Sequence, residues 1–188
     1  MEEIDVIKNL IESDFFNNVD KVDGMIGNRP ISTTKEYLRE EGISDDTIKE
    51  IEFFSHMHSN NSVDILGTSM KDERIGVEAK GVAPSKEKTK SNLKYWSKGI
   101  FNQTAEIHDT MNCDLVGFAI PENVGDLFRG VISSFDKEPD WSDVQNQEAK
   151  ELYGSKQVEI IENFKQDRVL LVGHGSVQIH TVEEFFGL

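Results

Sequence analysis

This chain of 188 residues has one cysteine, no long apolar run and few basic residues. Each of these features limits what kind of protein it can be. Cys113 has no second cysteine to pair with, which excludes an internal disulfide and favours an intracellular setting. No stretch of about 18 apolar residues occurs, which excludes a membrane-spanning helix. The acidic start, residues 1–5, lacks the basic and apolar regions of a signal peptide. We therefore expect a cytoplasmic protein that does not enter the membrane.

Basic side chains are outnumbered, because 20 lysines and arginines stand against 35 aspartates and glutamates, for a net charge of −15. Such a balance is unusual for a protein that binds nucleic acid. The distribution is uneven, however, since the segment from Lys80 to Gln103 holds six lysines and one acid, Glu87. A basic surface on an acidic body would bind a polyanion in one orientation. Adaptation to high salt is the competing explanation of the acidic excess.

The order of apolar and turn-forming residues predicts one domain of mixed α/β class. Residues 1–52 form a predicted N-terminal helical region, which is part of the core or packed on it. Residues 53–188 form the predicted core, a mixed central sheet flanked by helices. The predicted strands lie at residues 53–58, around Asp64, around Glu78, and at residues 115–120, 169–172 and 177–180.

The most informative feature is a pair of strands around Asp64 and Glu78. Side chains alternate along a strand, so Asp64, Glu78 and Lys80 are predicted to point to one side of the sheet. A hairpin loop centred on Lys71 places Asp64 opposite Glu78, with Cβ atoms roughly 5 Å apart. The other side is then wholly apolar, formed by Val63, Ile65, Ile75, Val77 and Ala79.

Two carboxylates at that distance repel each other unless a cation lies between them. Their oxygen atoms are ligands that Mg²⁺ prefers, and Lys80 adds a positive charge that suits a phosphate group. The pattern therefore indicates a metal-and-lysine site for phosphate chemistry. The simpler alternative is an ion pair between Asp64 and Lys80, with Glu78 solvated on an exposed sheet face.

A long helix is predicted over residues 88–111. Lys90, Lys94 and Lys98 recur every four residues on this helix and form a stripe beside its apolar face. Gln103 lies at the edge of the apolar face. The stripe is either a phosphate-binding surface or an ordinary solvated face.

The order of helix, strand meander with Asp64 and then Glu78-Ala79-Lys80, helix and strand resembles the PD-(D/E)XK nuclease superfamily. This superfamily includes type II restriction enzymes and archaeal Holliday junction resolvases. The resemblance covers roughly residues 53–120, and Val63 stands where the family name has proline. It implies a restriction-endonuclease-like core and a Mg²⁺-dependent DNA endonuclease, with Mn²⁺ as a substitute.

The resemblance also assigns roles to individual residues. Asp64, Glu78 and the carbonyl group of Ala79 would hold Mg²⁺. Lys80 would position the attacking water or stabilise negative charge, and Gln103 would orient Lys80, the water or a phosphate. Phosphate contacts would come from the lysines of the basic segment, Lys86, Lys88, Lys90, Lys94 and Lys98.

Members of this superfamily often add a glutamate from the first core helix. The candidates by rough position, with Glu40 preferred, are Glu36, Glu40, Glu41 and Glu50. A homodimer is expected, because enzymes that cut both DNA strands usually act as symmetric pairs. The alternative is a non-catalytic DNA-binding or protein-interaction module on the same fold. The DNA structure recognised, or RNA in its place, stays open.

Overall fold

A computed structural model describes residues 1–23, 31–54, 63–81, 107–108, 111–126, 128–129 and 165–187. The helices are α1 (Glu3–Glu12), α2 (Ile31–Glu40), α3 (Asp45–Glu50) and α4 (Val182–Phe186). The strands are β1 (Phe16–Asp23), β2 (Glu52–Phe54), β3 (Ile65–Ser69), β4 (Arg74–Ala79), β5 (Leu115–Pro121), β6 (Arg168–Gly173) and β7 (Ser176–Thr181). Within these ranges, no helix has both the length and the apolar character needed to cross a membrane.

The strands of the described chain form one mixed sheet in the order β2-β1-β3-β4-β5-β6-β7. β1, β3 and β4 form an antiparallel meander, whereas β5 lies parallel to β4 and β6 lies parallel to β5. At the two edges, β2 pairs in parallel with β1 and β7 pairs antiparallel with β6. The expected mixed sheet flanked by helices is therefore present.

The centre of the sheet is buried on both faces, as the continuous apolar sequence of β5 predicts. Every residue of β5 is buried. α1 covers one face with Ile4, Ile7 and Leu10, which recur at helical spacing. The cluster on the opposite face includes the aromatic side chains of Phe118 and Phe128. These two layers hold the meander, and the residues at its ends, in a fixed frame.

The N-terminal region is not wholly helical, because residues 16–23 form β1 in the body of the sheet. This strand, and not the one predicted at residues 53–58, runs antiparallel to β3. Two register shifts within β1 break the simple alternation by which a strand is recognised in sequence. Of the strand predicted at 53–58, only residues 53 and 54 lie in a described strand, β2, which pairs with the outer side of β1.

Between β1 and β3 the chain inserts the two short helices α2 and α3. The Ser44 hydroxyl caps α3 by accepting a hydrogen bond from the Thr47 amide at 3.1 Å, the usual role of a serine just before a helix. Leu38, Ile43 and Ile48 form a small core of their own. The insertion is thus a packed unit beside α1.

Candidate functional site

Asp64 and Glu78 lie next to each other at one end of the β3–β4 hairpin. Ile65 pairs with Val77, and the next position along the two chains brings Asp64 to Glu78. Both acidic residues are buried, each with 6% of its surface exposed. The Ala79 amide donates a hydrogen bond to Asp64 Oδ2 at 2.6 Å, which fixes one carboxylate oxygen in place.

One residue departs from the predicted alternation of this hairpin. Val63 packs with Leu66, on the face of the sheet opposite to Ile65. The chain bends at Asp64 before β3 begins, so the alternation does not extend back to Val63. The four remaining residues of the predicted apolar face pack on the α1 side as expected: Ile65, Ile75, Val77 and Ala79.

Lys80 directly follows β4, and its ammonium group forms an ion pair with Glu78 Oε1. The Lys80 amide donates to the Ala119 carbonyl at 2.8 Å, which ties this end of the hairpin to β5. Because Glu78 is buried and ion-paired, the alternative of a solvated Glu78 on an open sheet face is not observed. The side chain of Lys80 is 18% exposed against 7% for Glu78, so the lysine lies nearer the solvent.

A glutamate of α1 joins this group, and it is not among the predicted ones. Glu3 lies in the first turn of α1. Burial and the carboxylates of Asp64 and Asp23 raise the pKa of Glu3 to about 7, against the lowering effect of Lys80. Glu40, the preferred candidate, is exposed on α2. Nothing local marks Glu3 in the sequence, because its proximity to Asp64 depends on how α1 packs on the sheet.

Asp23 is a fourth acidic residue at this end of the sheet. It is the last residue of β1 and only 1% of its surface is exposed. Its amide donates to the Asp64 carbonyl at 2.8 Å, which continues the pairing of β1 with the chain before β3. No pattern in the sequence singles out Asp23, since β1 is not among the predicted strands. Glu3, Asp23, Asp64 and Glu78 are called the acidic cluster below.

Burial disfavours negative charge on two residues of the acidic cluster, Glu3 and Glu78. Desolvation and the charge of Asp64 raise the pKa of Glu78 to about 8, although Lys80 acts in the opposite direction. Burial alone would lower the pKa of Lys80, but the neighbouring carboxylates, Asp64 first among them, outweigh that effect and raise it. Lys80 is therefore positively charged at neutral pH.

The donors of this cluster fit a hard divalent cation. Mg²⁺ is usually bound by one or two carboxylates, while waters and substrate phosphate complete its coordination shell. Asp64 and Glu78 supply such oxygen atoms, and Glu3 lies close to Asp64. Among the described residues, no three or more His, Cys, Asp or Glu side chains are placed so that they could together hold a metal ion. Asp64 and Glu78 match the number and kind of carboxylates that Mg²⁺ usually takes from a protein.

The other predicted site residues come from the segment between β4 and β5. They lie outside the described residues, and their roles stay predictions: Lys86, Lys88, Lys90, Lys94, Lys98 and Gln103.

No family model, curated protein or solved structure matches this chain.

Proposed function

We propose that this protein is a Mg²⁺-dependent DNA endonuclease that hydrolyses phosphodiester bonds, with Mn²⁺ as a substitute cation. The observation that carries the proposal is the buried group of Asp64, Glu78 and Lys80 at one end of the β3–β4 hairpin. Paired carboxylates suit a divalent cation, and an adjacent lysine suits the negative charge of a phosphoryl group. A purely structural ion pair would need one carboxylate rather than this excess of them.

The topology supports the same proposal. α1 is followed by the antiparallel strands β1, β3 and β4, and then by β5, which runs parallel to β4. This order resembles the core of the PD-(D/E)XK nucleases, with Asp64 just before β3 and Glu78 in β4. The two helices α2 and α3 would then be an insertion into that core.

In the proposed mechanism, Asp64 and Glu78 would hold the cation, and the Ala79 carbonyl group would be a further ligand. The bound ion would stabilise charge on the phosphoryl group and lower the pKa of a coordinated water. Lys80 donates hydrogen bonds to a phosphoryl oxygen and stabilises the negative charge that develops there. Its raised pKa keeps the donor protonated at neutral pH.

Two conservative substitutions test this proposal. We expect the protein to nick or cleave DNA with Mg²⁺ or Mn²⁺ and not in EDTA. Asp64→Asn and Glu78→Gln keep the side-chain shape but remove a charge, so each should lower the cleavage rate by about 100-fold or more. Asp46→Asn is the matched control, because Asp46 lies on α3 and its side chain is 92% exposed. Cleavage that persists in both site variants would contradict the proposal.

The substrate and the assembly need separate measurements. A panel of linear, branched, methylated and single-stranded DNA, together with RNA, would identify the structure that is cut. We propose a homodimer, because one site handles one strand and symmetric pairs are the commonest oligomers. Sedimentation equilibrium that shows only a monomer under cleavage conditions would contradict it.

A non-catalytic DNA-binding or protein-interaction module is the second candidate. The ion pair between Lys80 and Glu78 favours it, because that lysine neutralises a carboxylate which a cation would otherwise use. Calorimetric titration with Mg²⁺ in the absence of DNA separates the two candidates. A module would bind DNA or a protein without hydrolysis, and Asp64→Asn would not change that binding.

A further inference from the structure

The first turn of α1 and the end of β4 touch through backbone atoms. Gly81 follows Lys80, and a Cβ atom at Gly81 would lie 2.3 Å from the Glu3 nitrogen and 2.7 Å from the Glu2 carbonyl carbon. Ordinary contact begins at 3.4 Å, and real Cβ atoms essentially never come closer than 3.0 Å. Because the neighbours are backbone, no side chain can rotate away. Any other residue at this position must push α1 and β4 apart.

A side chain of α2 fixes the same turn of α1. The Glu2 amide donates to Asp5 Oδ2 at 2.7 Å, as part of a capping box. The Tyr37 hydroxyl donates to the other oxygen of the same carboxylate, Asp5 Oδ1. Tyr37 belongs to the helical insertion between β1 and β3. The insertion therefore reaches the turn that carries Glu3.

We propose that Gly81 and Tyr37 are positioning residues that together hold Glu3 in the acidic cluster. Gly81 sets how closely α1 approaches the end of β4, and Tyr37 fixes the orientation of the first turn through Asp5. The inference rests on the proposed function, because Glu3 can assist cation binding only if the site holds a cation. Neither positioning residue is expected to touch the cation or the DNA.

The remainder of α1 is anchored elsewhere, which makes the effect local. Ile4, Ile7 and Leu10 are at most 2% exposed and pack on the sheet. A displacement at Gly81 therefore tilts the first turn without releasing the helix. Glu3 moves with that turn, whereas Asp64 and Glu78 stay on the hairpin.

The affinity of the metal-free protein for Mn²⁺, measured by calorimetry without DNA, tests this proposal. Loss of groups that orient metal ligands typically lowers metal affinity about 10-fold to 100-fold. We expect Gly81→Ala and Tyr37→Phe to weaken Mn²⁺ binding by about 10-fold, and Glu3→Gln to do the same. Tyr37→Phe removes one hydroxyl and keeps the ring, so it decides the test if Gly81→Ala fails to fold.

Gly67→Ala is the matched control. A Cβ atom at Gly67 would lie 2.4 Å from the Asn18 carbonyl oxygen, so it also meets backbone, but between β1 and β3 rather than at the turn of α1. This variant should unfold at a lower temperature and bind Mn²⁺ as the wild-type protein does. If Gly67→Ala weakens Mn²⁺ binding as much as Gly81→Ala, general destabilisation explains the loss and the positioning role is wrong.

A readout that needs no metal tests the contact itself. In the metal-free wild-type protein, we expect a nuclear Overhauser effect between the Gly81 α-protons and the Glu3 amide proton. If this Overhauser effect is absent in a protein that binds Mn²⁺, the inference is wrong and the proposed function still stands. The same holds if Tyr37→Phe binds Mn²⁺ with unchanged affinity. Failure of the wild-type protein to bind Mn²⁺ would overturn the proposed function and, with it, the role of both residues.

Discussion

The protonation of individual carboxyl groups decides how this site behaves when no cation is bound. Glu3 and Glu78 have raised pKa values, about 7 and about 8, because burial and Asp64 disfavour their charged forms. A proton on either group then lowers the negative charge of the acidic cluster beside Lys80. The Asp64 carboxylate, fixed by the Ala79 amide, is the common neighbour of both.

These raised pKa values predict how stability depends on pH in EDTA. The unfolded chain releases both protons near pH 4.5, whereas the folded protein keeps the proton of Glu3 up to about pH 7 and that of Glu78 up to about pH 8. Stability therefore falls as pH rises through this window. Glu78→Gln removes one of the groups, so its unfolding temperature should fall less steeply with pH in a thermal melt.

Glu36→Gln, on the exposed side of α2, should keep the wild-type dependence on pH. A Glu78→Gln profile that is as steep as that of the wild-type protein would show that Glu78 does not hold a proton in the fold.

At the scale of elements, one buried carboxylate just before β6, that of Asp167, contacts both β5 and the chain before β5. Asp167 accepts a hydrogen bond from the Val116 amide at 2.8 Å and lies 3.0 Å from His108 Nε2. His108 Nδ1 lies 3.2 Å from the Cys113 carbonyl, so the ring connects the chain before β5 with the chain before β6. Burial raises the pKa of Asp167, although these hydrogen bonds act against the rise.

Asp167→Asn should therefore destabilise the fold. Asparagine replaces one of the two carboxylate oxygens by an NH₂ group, so the contacts with Val116 and His108 cannot both stay as they are, and leaving a buried group without its partner costs about 1–3 kcal/mol. Urea unfolding measures this difference. Asp126→Asn is the control, because Asp126 pairs with Arg129 on the surface and its side chain is 98% exposed. Equal stability of the two variants would contradict the importance of this link.

At the same scale, the sequence predicts local pairings better than distant ones. The β3–β4 hairpin is predictable, since Ile75 and Val77 alternate with polar or small residues and the partner strand is close in sequence. β1 is not, because its alternation is broken by register shifts and its partner, β3, lies beyond an inserted pair of helices. Glu3 lies on α1 and Asp23 on β1, and both approach Asp64 through contacts between residues that are far apart in the chain. These two residues of the acidic cluster are therefore not predicted from the sequence.

The whole molecule carries a net charge of −15, which opposes the binding of a polyanion such as DNA. If the predicted stripe meets phosphates, replacing Lys90, Lys94 and Lys98 by glutamine should weaken DNA binding and flatten its dependence on salt. Three lost phosphate contacts change the slope of log K against log salt by about 2.7 on duplex DNA. Binding measured by fluorescence anisotropy at several salt concentrations tests this expectation.

The described surface provides a matched triple variant. Lys8, Lys21 and Lys49 each form an ion pair with a neighbouring acid, so their charge is already balanced. Replacing all three by glutamine should leave the salt slope unchanged. If both triple variants keep the wild-type slope, the stripe is a solvated face and DNA binds elsewhere.

The connectivity of the sheet has a consequence for the order of folding events. Its central pairings join residues far apart in the chain, such as Val22 with Ile65 and Gly76 with Val116. Such non-local contacts form slowly, because long loops must close before the pairing stabilises them. The acidic cluster draws on β1, β3, β4 and α1, so it is complete only once the meander has closed. A cation that binds this cluster should therefore leave the refolding rate almost unchanged and slow unfolding, which stopped-flow measurements with and without Mg²⁺ would detect.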